Sequence, residues 1–65
     1  MKRVNDMRVP KEATHAVRGS RNGIYAKVCG IWMFSANGGS IREFYNFGVT
    51  DVTKFIGDNK IVECK

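Results

Sequence analysis

The sequence is poor in the residues that metal sites and nucleophilic enzymes need. It holds one histidine, His15, and two cysteines, Cys29 and Cys64. A structural zinc site usually takes four ligands, with its cysteines and histidines in compactly spaced pairs. These three residues form no such pair, so no metal is expected. No nucleophile and base pairing is readable either, and Asp51 and Asp58 read as solvated carboxylates. A substrate pocket needs at least about 300 Å³, and 65 residues leave little room for one. No enzyme activity, catalytic residue or cofactor is expected.

Two cysteines also argue against a disulfide scaffold. The opening residues, MKRVNDMRVP, hold charge but no apolar signal core. A cytoplasmic location with both thiols reduced is expected. Nowhere does an apolar run approach the roughly 20 residues that cross a bilayer, so no membrane partner is expected.

What the chain does have is an uneven charge. The formal net charge is +5. Residues 1–27 carry seven basic side chains (Lys2, Arg3, Arg8, Lys11, Arg18, Arg21, Lys27) against Asp6 and Glu12, and the remainder balances. All seven aromatic residues fall between Tyr25 and Phe55. A basic entry therefore precedes an aromatic body. Such polarity suits association with nucleic acid or with an acidic protein surface. A solubilising, wet face is the plain alternative.

Residues 1–9 have no hydrophobic period and read as a flexible basic arm, although Val4, Met7 and Val9 can dock on a neighbour. Residues 10–65 read as a single small domain. PKEATHAVRG, residues 10–19, carries helix punctuation in Pro10, Glu12 and Gly19. It also alternates as a strand, and the Asn22-Gly23 pair that follows suits a two-residue hairpin turn. The strand is preferred on that ground. IYAKVCGIWMF, residues 24–34, is rich in β-branched and aromatic types and reads as one long strand.

The Asn37-Gly38-Gly39 stretch lacks the lysine and the helix that a phosphate loop requires. It reads as a tight turn into a third strand, Ser40–Phe47. Beyond Gly48, Thr50 can cap a short helix that ends at Gly57, with Val49, Val52, Phe55 and Ile56 on one face. Lys60–Cys64 reads as a last strand. The expected class is thus α+β but mostly β: a small curled antiparallel sheet of order β-β-β-α-β, with an all-β small barrel as the alternative.

Residues 24–34 are apolar on both faces, with only Lys27 interrupting. Half-exposed antiparallel strands alternate apolar with polar, so this segment must be covered on both sides. The short helix supplies one cover. A curled sheet, the N-terminal arm, a second copy in a homodimer or another protein supplies the other.

Pro10, Ala13, Thr14 and His15, then Tyr25 and Lys27, then Gly30 and Trp32, form a pattern that resembles a hairpin motif of small bacteriophage-encoded proteins. The resemblance covers about 25 residues and has no known activity attached, so it carries no functional residues across. It implies a phage-like origin, strands over residues 10–18, and a non-enzymatic protein that modulates or inhibits a host protein of the transcription, replication or defence machinery. For such a partner, Arg18, Arg21 and Lys27 would steer, and Tyr25, Ile31, Trp32 and Met33 would anchor. The alternative is direct nucleic-acid binding through Lys2, Arg3, Arg8, Lys11, Arg18 and Arg21. REFYNFG lacks the glycine placement of an RRM strand, so this alternative rests on the basic segment. A structural oligomer is the third expectation.

Overall fold

In the computed structural model, residues 2–19, 23–36, 44–46 and 51–64 are described. They contain seven strands: β1 (Lys2–Val4), β2 (Met7–Val9), β3 (Ala13–Arg18), β4 (Ile24–Val28), β5 (Ile31–Ser35), β6 (Tyr45–Asn46) and β7 (Val62–Glu63). β1 and β2 pair alone, and the other five form a sheet of order β6-β5-β4-β3-β7. Every pairing is antiparallel. β6 and β7 stand at opposite edges, so the described sheet is open.

The expected α+β class and its helix are corrected: the described residues are all-β. Residues 51–58 form consecutive turns. Asp51 Oδ1 accepts a hydrogen bond from the Thr53 amide at 3.0 Å, and the Phe55 amide donates to the Val52 carbonyl at 2.8 Å. These i→i+2 and i→i+3 closures replace the i→i+4 ladder. The physical reasons are local. A nine-residue helix is marginal without strong propensity. Val52, Thr53 and Ile56 are β-branched, and Asp51 offers the backbone a competing partner. Gly57, at φ 59°, ends the segment. Residues 49–50 of the expected helix lie outside the described residues.

The single strand expected over residues 24–34 is also corrected. It is two strands folded back on Cys29-Gly30, with Val28 opposite Ile31. Cys29 has φ 51° and Gly30 φ 79°, the positive pair that a twist-matched two-residue hairpin demands. The expected turns at Asn22-Gly23 and Asn37-Gly38-Gly39 depend on residues outside those described, as does most of the expected third strand. Of that strand, Tyr45–Asn46 is observed.

The expected flexible arm is a hairpin. Asn5 and Asp6, at φ 47° and 66°, turn the chain between Val4 and Met7. Cross-strand partners share a face, so Val4, Met7 and Val9 point inward and Arg3 and Arg8 outward. Met7 and Val9 are buried against Ala13, Ala16, Ile24 and Ala26. That cluster occupies one face of the sheet. The opposite face holds Val17, Tyr25 and Trp32, covered by Val52 and Ile56 from the turn segment. The two-sided apolar character of residues 24–34 is therefore satisfied on both sides within this chain.

Candidate functional site

The N-terminal hairpin presents two arginines in an unusual arrangement. Arg3 and Arg8 are directly opposite each other across β1 and β2, and both are exposed. Like charges in that position repel and destabilise the pair. The pair is nonetheless built on a firm base. Val9 is 0% exposed and Met7 3%, and Lys2 Nζ donates to the Ala13 carbonyl at 2.9 Å. Lys11 stands exposed in the turn that leads to β3, where the Ala13 amide closes on the Pro10 carbonyl at 3.1 Å. Asp6 at the hairpin tip and Glu12 beside Lys11 are also exposed. Residues 2–12 thus carry four basic groups against two acidic ones. Among the described residues neither Arg3 nor Arg8 has an ion pair.

The opposite face of the sheet carries a row of rings. Tyr45 meets Phe34 edge-on with centroids 5.7 Å apart, Phe34 lies 4.9 Å from Tyr25, and Tyr25 lies 6.4 Å from Phe55. The two ends are open, with Tyr45 55% and Phe55 41% exposed. Burial pushes the Tyr25 hydroxyl above its ordinary range, with the nearby Tyr45 acting in the same direction. Lys27 places Nζ 5.9 Å from the centre of the Trp32 ring, a cation–π contact between cross-strand neighbours. Lys54 sits by Asp51, whose carboxyl is held below its ordinary range mainly by the Thr53 amide. His15 faces Glu63 across β3 and β7.

The residues expected to anchor a protein partner are not one surface. Tyr25 and Trp32 are core residues, at 5% and 4% exposure. Met33 is half-buried and pairs with Ala26, on the hairpin-covered face. Ile31 is exposed beside the Cys29-Gly30 tip. Arg18 lies half-buried at the far end of β3, its carbonyl accepting from Asn59 Nδ2 at 2.8 Å. Arg21 lies outside the described residues. Of the nucleic-acid set, Arg3, Arg8 and Lys11 are exposed on and beside the N-terminal hairpin, Lys2 lies on the hairpin's inner side opposite Val9, and Arg18 stands apart. Sequence reasoning missed the Arg3–Arg8 pairing. Its signal was Asn5-Asp6 between Lys-Arg-Val and Met-Arg-Val, a turn pair flanked by matched alternation.

Cys29 is exposed and Cys64 half-buried, and both are free thiols. Burial pushes the Cys64 thiol up, against a smaller opposing pull from Lys2. His15 Nδ1 lies 3.0 Å from Thr14 Oγ1. No group of three metal-ligating side chains converges among the described residues, and they contain no helix long and apolar enough to cross a membrane.

A family model described as "Domain of unknown function (DUF7274)" matches residues 1–65. No curated protein and no solved structure matches.

Proposed function

The chain belongs to the DUF7274 family, a domain of unknown function, and from that premise we propose a non-enzymatic protein that binds nucleic acid through its basic N-terminal hairpin. The observation that carries this reading is the exposed Arg3–Arg8 pair, seated on buried Met7 and Val9. Two guanidiniums held side by side repel until an anion lies between or across them. Phosphate oxygens suit that role, because each guanidinium presents a planar fork of donors. Lys11 extends the positive surface along the same end of the chain, whereas Lys2, on the hairpin's inner side, gives its Nζ to the Ala13 carbonyl.

A protein partner, the host target implied by the phage resemblance, is the competing occupant. It draws support from Ile31, exposed at a hairpin tip, and loses Tyr25 and Trp32, whose rings are committed to the core. Buried rings cannot serve as the central anchors that such interfaces depend on.

Retention on immobilised nucleic acid at low salt tests the proposal. Binding should fall linearly on a log–log plot as salt rises, because bound cations release counterions from the phosphates. Absence of retention at low salt, together with capture of one protein at a defined stoichiometry, would transfer the function to the protein-binding reading.

A further inference from the structure

We infer that the nucleic acid this chain binds is double-stranded, held through its phosphates by Arg3 and Arg8. This rests on the nucleic-acid reading above and narrows it.

The inference comes from which groups share a side of the sheet. Proteins that hold single strands combine cations on the backbone with rings on which bases stack. A base and its own phosphate are neighbours on one strand, so rings and cations must lie together. Here the arginine pair and the row of exposed rings are separated by the sheet. β1 and β2 cover the face formed by Ala16, Ile24 and Ala26, and Arg3 and Arg8 project from the outer side of that cover. Tyr45, Phe34 and Phe55 belong to the opposite face, with the Tyr25 and Trp32 cluster. No base can stack on those rings while its phosphate touches the arginine pair.

Among the described residues of the ring face and the segment that covers it, Lys54 has Asp51 as an electrostatic neighbour, and Lys27 lies over Trp32. The outer side of the hairpin, by contrast, offers cations, and Phe44, the described ring on that side of the sheet, is half-buried against the core cluster. A duplex asks for that: its bases are already stacked on each other, and its phosphates line the outside. A two-stranded ribbon also matches the width of the duplex major groove. Both arginines stand on the outer side of such a ribbon, one on each strand.

The experiment is fluorescence anisotropy with one labelled DNA duplex and each of its separated strands, at several salt concentrations, using the full chain. The duplex should bind about tenfold tighter than either strand. Arg3→Gln and Arg8→Gln should each weaken duplex binding and lower the salt slope by about 1. Tyr45→Ala and Phe55→Ala should leave duplex affinity unchanged. Both arginines are exposed, so thermal melting of the glutamine variants should match the parent or exceed it. Single strands that bind as tightly as the duplex, with affinity lost in Tyr45→Ala or Phe55→Ala, would overturn the double-stranded assignment and leave nucleic-acid binding standing. Binding to neither form would overturn both.

Discussion

At the scale of single residues, two backbone positions set clear expectations. Cys29 occupies a left-handed conformation, φ 51°, where a side chain usually costs about 1 kcal/mol or more. Asparagine tolerates that region and is favoured in such turns. Cys29→Asn should therefore raise stability by roughly 0.5–1 kcal/mol, read as a higher denaturant midpoint at unchanged slope. Gly19 is constrained by space instead. A Cβ there would run into the Tyr25 ring, with Cδ2 only 2.9 Å away. Gly19→Ala should cost about 1–3 kcal/mol by overpacking, a fall in melting temperature of at least about 4 °C for a domain of this size.

Three of the described side chains bear on the pH dependence. Asp51, held below its ordinary value of 3.8, contributes stability above that pH and loses it as pH falls through its folded value. Tyr25 and Cys64 are raised above 10.0 and 9.0. Their contributions are full below those values and are lost as pH climbs through the folded ones. Melting temperature should thus decline from about pH 9 upward, and Cys64→Ser should remove the earlier part of that decline.

At the scale of elements, the N-terminal hairpin decides both stability and function. Met7→Ala should cost roughly 2–5 kcal/mol, since it leaves a cavity against Ala13 and Ile24. In a domain so small that loss approaches the whole margin, and chemical denaturation would show it directly. Arg8→Thr should act oppositely, relieving the repulsion with Arg3 for a gain of about 0.2–1 kcal/mol while weakening phosphate binding. A residue that lowers stability and raises affinity is the behaviour expected of a functional one.

The elements also mark how far the sequence was readable. Strand character over residues 13–18 was legible because Ala13, His15 and Val17 alternate with Thr14, Ala16 and Arg18. The helix expected near residue 52 was not found, although the spacing behind it was genuine. Val52 and Ile56 do bury together against the ring face, but through turns, because a periodic pattern records which side chains meet the core and not the hydrogen bonds between them. In the sequence Cys29-Gly30 reads as strand interior, since cysteine rarely starts a hairpin turn. Only the backbone, with φ positive at both residues, discloses the reversal. Arg3 and Arg8 were legible as charges but not as neighbours, because pairing depends on register and register on the Asn5-Asp6 turn.

At the scale of the whole molecule, one sheet is covered twice by its own chain. The hairpin seals one side and the 51–58 segment the other. Ile31, Tyr45, Phe55 and Ile61 stay exposed, and the hairpin's outer surface carries the paired charges of Arg3 and Arg8. The most direct measurement is an amide chemical-shift titration of the isotopically labelled chain with a short DNA duplex at low salt. Shifts should concentrate in residues 2–11, with Arg3 and Arg8 among the largest, and should fade as salt is raised. Shifts centred on Tyr45 and Phe55, or none anywhere, would contradict it.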